Sequence, residues 1–356
     1  MGEESNRMRE PFVSVVLAVR DEAAYIALCL NAVLVQKWPA ERMEIIVADG
    51  ESTDGTPDII RALPGNERIQ IIENPRRNQA AGLNLAIAHA LGSVIVRVDG
   101  HTQIAPDYVR CCVEALEESD AACVGGRIHP VGLTPVGSVI AAVTRTAFAV
   151  PGAFHVSRTA RYTDTVYLGA WPAMVLKKVG AFNEHLPPNE DYELAYRIRH
   201  AGGQVYLSPR IRSDYYGRQT LRTIARQYYL YGIGKAEMLL AYPRSLKARH
   251  LVAPLFVAGL ASGPLCWYLG GIIWLTWLVM VAAYAMLNLG FSVFIALREH
   301  SVTVWLAPVV YLVIHVCWGV GVWVGLGRGI IRSLRSGERV ASPVSEPLRG
   351  HYVTDE

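Results

Sequence analysis

Over its first third the chain alternates short apolar runs with amphipathic stretches. Phe12 to Val19 is a nearly unbroken β-branched run, suited to a strand buried on both faces. Asp21 to Val35 predicts a helix with acidic residues in its first turn. Met43 to Ala48 predicts a second strand ending at Asp49, and Thr53-Asp54-Gly55-Thr56 a turn before a helix that starts at Pro57. Arg68 to Ile72, Asn78 to Leu91 and Val94 to Val98 read as strand, helix and strand, the last ending at Asp99. Pro106 to Glu118 and Ala121 to Gly125 add one more helix and strand. Strands alternating with helices imply right-handed crossovers and a parallel sheet. Sites in such sheets gather at the carboxyl ends of the strands, where Arg20, Asp49 and Asp99 fall.

Past Gly126 the rhythm loosens. Val136 to Val150 predicts a helix or a flap, Pro172 to Val179 and Glu190 to His200 helices, and Gln204 to Leu207 a strand. Gln219 to Tyr242 is a longer helical stretch whose Arg, Lys and Tyr suit either a membrane interface or ordinary packing. The pattern then changes character. From Leu251 to Leu297, 47 residues pass without Asp, Glu, Lys, Arg or His, and from Val302 to Gly327 another 26 are broken only by His315. Six of the eight tryptophans lie between Trp267 and Trp323, as interface-loving side chains would. A bilayer core needs about 20 apolar residues per helical span, so residues 251–331 read as membrane-embedded helices.

The number of spans follows from their punctuation. Three spans would carry the C-terminus across the membrane from the polar part. The arginines Arg328, Arg332, Arg335, Arg339 and Arg349 instead favour a cytoplasmic tail over residues 332–356. Gly259, Gly263, Pro264 and Gly270-Gly271 make the first segment a candidate for a re-entrant or interfacial piece, leaving two true spans. His315 reads as a neutral histidine bonded to a neighbouring helix, or as a contact for a lipid phosphate or substrate.

Composition narrows the class. Of 356 residues, 52% are hydrophobic and 18% charged, which excludes a disordered chain. A net charge of +3, with no basic run interleaved with aromatics, argues against a nucleic-acid partner. The six cysteines have no zinc or redox spacing and read as reduced structural residues. Residues 1–10 form a loose polar leader with no signal-peptide pattern, so the polar part is expected in the cytoplasm.

Three segments could carry chemistry. Asp99-Gly100-His101 places a carboxylate and an imidazole two residues apart at a strand end, where both can reach one divalent cation, or can form a simple solvated turn. Arg20-Asp21-Glu22 and Asp49 to Thr56 offer acceptors for a nucleobase or ribose, although Asp54 also suits a helix cap. No G-x-G-x-x-G follows the first strand, which argues against a dinucleotide cofactor. Asn189-Glu190-Asp191 opens a helix, where a carboxylate can act as general base or as capping charge. The helix dipole is expected to lower the pKa of Asp191.

In order, Arg20-Asp21-Glu22, the Asp49 run, Asn78-Gln79-Ala80-Ala81-Gly82-Leu83-Asn84, Asp99-Gly100-His101 and Asn189-Glu190-Asp191 resemble glycosyltransferase family 2 across roughly residues 12–235. Val96 to His101, Asn189 to Leu194 and Gln227 to Lys235 bring it nearest to membrane-bound succinoglycan-biosynthesis glucosyltransferases. The resemblance implies an α/β GT-A fold over residues 11–243, a mostly parallel central sheet, and C-terminal transmembrane helices. It also implies a UDP-sugar donor, Mg or Mn, and inversion at the anomeric carbon. Arg20, Glu22, Asp49 and Asp99 would bind the nucleotide, Asp99 with His101 the metal, and Asp191 would be the base. Glu190, Trp171, Arg226 and Gln227 would face acceptor or diphosphate.

Two positions depart from the family pattern. The usual D-x-D is D-x-H here, and Gln227-Tyr228-Tyr229-Leu230-Tyr231 replaces the Q-x-x-R-W of processive synthases, which favours adding one sugar. The expectation is a multi-pass enzyme of the inner (plasma) membrane that transfers a hexose to a polyprenyl-diphosphate-linked acceptor held in membrane lipid. Its rivals are transfer to a bare polyprenyl phosphate and a non-catalytic sugar-binding membrane protein.

Overall fold

A computed structural model describes residues 10–150, 156–186, 188–299 and 305–336. Most of the expected leader (1–9) and of the basic tail (337–356) lies outside the described residues. The chain divides into two compact units. One holds residues 10–129 and 156–216, the other residues 130–150 and 217–336 among those described.

The first unit is built on a nine-stranded sheet. Strands β1 (Val13–Val19), β2 (Met43–Asp49), β3 (Ile69–Glu73) and β4 (Val94–Arg97) form its parallel half in the order β3-β2-β1-β4. Residues along β1 alternate between two cores. Val13, Val15, Leu17 and Val19 face one side with α1 (Ile26–Leu34) and α4 (Tyr108–Ser119), while Val16 faces the other with α3 (Gln79–His89) and α7 (Glu190–His200). A strand covered on both faces has to be apolar throughout, which is why these runs stood out in the sequence.

Beyond β4 the sheet turns antiparallel. Strand β8 (Tyr167–Pro172) pairs antiparallel with β4 and with β6 (Cys123–Val131). Next come β9 (Val205–Tyr216) and then β5 (Thr102–Ile104), antiparallel to β9, while the two-residue β7 (Arg161–Tyr162) pairs with β9 off the main path. The fold is thus α/β with a parallel half carrying the strand-end loops and an antiparallel half extending it. Helices α2 (Thr56–Ala62) and α6 (Ala173–Val179) complete this unit.

Several boundaries differ from expectation: the strand expected at Gln204 to Leu207 runs on to Tyr216, and the one expected at Ala121 to Gly125 spans Cys123–Val131. The first helix starts at Ile26, not Asp21. Asp21 sits at φ 54, and its side chain accepts the Thr53 N–H at 2.8 Å. Carboxylates that could have opened a helix instead tie two loops together.

The second unit is helical: α5 (Pro135–Thr144), α8 (Leu221–Ala241), α9 (Val252–Ala261), α10 (Gly263–Leu269), α11 (Gly271–Glu299) and α12 (Ala307–Ser336). Helices α11 and α12 are long and apolar enough to cross a membrane. The segment before them is broken, with a 52° bend between Ala248–Ala261 and Gly263–Leu269, so it counts as a third span only if the bent pair is taken as one. The break falls at the Gly263-Pro264 step, where proline removes a helical donor.

Helix α8 packs lengthwise along α12 in the same direction. A Cβ on Gly321 would run into the Tyr229 carbonyl, one on Gly232 into Trp318, and one on Gly325 into Ala236 at 2.7 Å. Backbones this close require glycine, as in small-residue helix pairs of membranes. His315 bridges its surroundings as the neutral reading expects. Its Nε2 lies 2.8 Å from the Phe148 carbonyl, and its Nδ1 lies 3.1 Å from the Tyr284 hydroxyl.

Candidate active site

The loops after β1 and β2 are laced together by their own polar side chains. Ser52 Oγ accepts the Asp21 N–H at 2.9 Å, and Asp54 accepts the Ala23 N–H at 2.8 Å. Asp49 is turned onto its own loop, accepting from Ser52 N–H at 3.0 Å and Ser52 Oγ–H at 2.6 Å. Glu51 and Asp21 both adopt left-handed backbone conformations, with φ of 56 and 54. Such residues cluster where a site dictates the backbone. Arg20 is half-exposed beside them, its Nη1 3.4 Å from the Arg77 carbonyl.

Glu22 and His101 are 79 residues apart in sequence but meet here. His101 Nδ1 lies 2.8 Å from Glu22 Oε1, and its ring packs edge-on to Tyr215. A carboxylate only accepts, so Nδ1–H is the donor of that bond, and the ring is oriented by it as in carboxylate–histidine–metal arrangements. Among the described residues no cluster of three or more His, Cys, Asp or Glu could hold a metal unaided. A carboxylate and an oriented imidazole nevertheless fit a cation that takes its remaining ligands from nucleotide phosphates and water.

Asp99 is buried, and its partner is one that sequence reasoning passed over. Arg97, the last residue of β4, is 4% exposed. Its Nε donates to Asp99 Oδ1 at 2.8 Å, and its Nη2 lies 3.4 Å from Asp99 Oδ2 and 3.2 Å from Glu190 Oε1. Gln79 Nε2 adds a longer contact to Asp99 at 3.3 Å. The signal was present in the sequence. A lone arginine inside Val94-Ile-Val-Arg-Val, a strand apolar on both faces, has to be paired.

Asp191 lies in the first turn of α7, behind Asn189, whose φ of 96 aims the helix start. Asp191 keeps part of its surface open, yet burial of its carboxyl and the adjacent Glu190 push its pKa up to about 6, while Arg97 pulls the other way. The expectation that the helix dipole would lower it is corrected. Desolvation and a like charge outweigh the dipole here. Glu190 is 6% exposed and turned inward to Arg97, its other oxygen accepting the Asn189 N–H at 3.2 Å.

The remaining candidates sit on other elements. Trp171 on β8 is 3% exposed and packs edge-on against Phe182. Arg226 and Gln227 belong to α8 of the second unit, where Gln227 donates to the Tyr231 hydroxyl at 2.7 Å. Burial pushes the Cys29 and Cys123 thiols up, so both stay protonated and structural.

Comparison with known proteins bears on the family and the fold. The family model Glycosyl transferase family group 2 matches residues 94–319, and Glycosyl transferase family 2 matches residues 14–141. The chain is 29% identical over 313 residues to succinoglycan biosynthesis protein ExoA of Rhizobium meliloti (strain 1021), covering 87% of this chain and 93% of that protein. It is 27% identical over 237 residues to the dolichyl N-acetyl-alpha-D-glucosaminyl phosphate 3-beta-D-2,3-diacetamido-2,3-dideoxy-beta-D-glucuronosyltransferase of Methanococcus voltae, covering 64% of this chain and 74% of that one. Among solved structures, the mannosyltransferase PcManGT from Pyrobaculum calidifontis, in complex with GDP-Man and Mn2+, shares the fold with a TM-score of 0.56, 20% identity and 88% of each chain covered.

Proposed function

Because the chain belongs to glycosyl transferase family group 2, we propose that it is an inverting enzyme that moves a single hexose from a UDP-sugar to a polyprenyl-diphosphate-linked saccharide in the inner membrane. The observation that carries this reading is Asp191, a partly exposed residue in the first turn of α7, joined through Glu190 and Arg97 to the Asp99 strand end. Its pKa of about 6 leaves it mostly ionised at neutral pH yet close enough to the working pH to serve as a base.

In the proposed step Asp191 takes the proton of the acceptor hydroxyl. The hydroxyl oxygen forms its bond to the anomeric carbon as the bond from that carbon to the diphosphate oxygen breaks, and the nucleoside diphosphate leaves with the electron pair. Arg20, Glu22 and Asp49 line the nucleoside side at the strand ends. A bound Mg or Mn, held by Asp99 and His101, would supply positive charge beside the leaving diphosphate. The two long apolar helices support a membrane-borne acceptor, since a polyprenyl carrier is confined to the bilayer. The reading places the first unit on the cytoplasmic side, where nucleotide sugars are available.

Replacing Asp191 by Asn tests the proposal. Sugar transfer from radiolabelled donor should fall by roughly 10³-fold, with nucleotide binding and folding unchanged. Transfer at a near-normal rate would remove Asp191 from the mechanism. In the unaltered enzyme, kcat/KM should fall about tenfold per pH unit below pH 6, because the base is lost on protonation.

A further inference from the structure

Arg97 is absent from the proposed chemistry, yet it sits where the proposed groups meet. Its guanidinium is sealed from solvent and touches carboxylates from two parts of the chain, Asp99 at the end of its own strand and Glu190 at the start of α7. Phe182 covers its face, with Cζ 5.6 Å from the ring centroid. Its Nη1 is buried without a hydrogen-bond partner among the described residues, so the group is held by its two carboxylates and not by a ring of carbonyls. Arg197 shows the contrast. That arginine pairs with Glu193 on its own helix and donates to the Val179, Gly180 and Ala181 carbonyls, a local structural clamp.

We propose that Arg97 is a positioning residue that fixes the start of α7, and with it Asp191, against the Asp99 strand end. This rests on the reading of Asp191 as the base. The planar fork of an arginine can hold two carboxylates at a set spacing where a lysine could hold one. The same group sets the charge around Asp191. The charged and titratable neighbours of Asp191 are Glu190 on its own helix, Arg97 and Asp99 at β4, and the neutral Cys123 thiol on β6. Removing Arg97 leaves Asp191 among like charges, while removing the Glu190 charge relieves it.

The test is the pH profile of kcat/KM for the full chain in membranes, with R97M, E190Q and the double variant R97M/E190Q. The acid limb should move up by about one pH unit in R97M and down in E190Q, and it should return toward its original place in the double variant. At a pH high enough to ionise Asp191 fully, R97M should still lose at least about tenfold in kcat, because the base is misplaced. An arginine that only stabilised the fold would lower the unfolding temperature and leave both limbs unmoved, and that result overturns the proposal. If R97M does not fold, an unmoved limb in E190Q alone overturns it. The D191N variant separates the two levels. If D191N is inactive while the limbs stay fixed, the base reading stands and the role of Arg97 falls. If D191N is active, the base reading falls with it.

Discussion

The two units solve the burial of polar groups in different ways. In the sheet unit the interior holds full charges, most of them ion-paired: Arg97 with Asp99 and Glu190, and Arg197 with Glu193. In the helical unit, Lys235 apart, the buried polar side chains are neutral: Thr146, Ser245, Asn288 and Ser292. Three of them pair with neutral groups: Ser292 Oγ with the Asn288 carbonyl at 2.7 Å, Asn288 with the Pro308 carbonyl at 3.0 Å, and Thr146 with the Tyr311 hydroxyl at 3.0 Å. Buried ion pairs are retained where they set geometry, whereas apolar helices satisfy their polar groups at lower cost without net charge.

Three substitutions and one control probe that contrast, beginning with the most damaging. Glu193→Ala leaves the Arg197 guanidinium short of its charge partner and should cost about 3 kcal/mol or more in thermal unfolding of the sheet unit. A loss under about 1 kcal/mol would mean that the carbonyl clamp alone holds Arg197. Next, Gly325→Ala drives a methyl into Ala236 and Ile233 and should cost about 1–3 kcal/mol, measured as detergent-solubilised unfolding. Gly327→Ala meets nothing within 4 Å and should be neutral; equal effects at both sites would refute the close seam. The smallest effect is expected from Tyr284→Phe, which removes one neutral bond to His315 and should cost about 0.6 kcal/mol. A cost comparable to Glu193→Ala would show that neutral bonds in the helical unit are no cheaper to lose than charges in the sheet unit.

How much of this was legible in the sequence depended on the kind of element. Strands β1, β2 and β4 could be read because burial on both faces demands continuous apolar runs. Strand β5 is three residues long, and β8 contains Leu168 at φ 62 and ends on Pro172, so neither shows a period that could be read. The long apolar stretches announced α11 and α12 by length alone, whereas the 52° break before them was signalled only by glycine and proline. In the candidate site, Asp99, His101 and Asp191 were visible as strand-end and helix-start residues. The Glu22–His101 contact and the Arg97 bridge were not, because they join positions 79 and 93 residues apart. The raised pKa of Asp191 was missed for the same reason: desolvation is a property of the packed neighbourhood, whereas the dipole argument needed only the helix.

The seam between α8 and α12 is made of backbone, at Gly232, Gly321 and Gly325. Contacts of that kind freeze no side-chain rotamers, so they cannot loosen gradually through rotamer hopping as temperature rises. The seam behaves as a rivet, not a gasket: the helices keep their register from Tyr229 to Leu240 or they part in one step. Since the notch itself sets that register, lengthening or shortening the connection through α9 and α10 would leave it where it is.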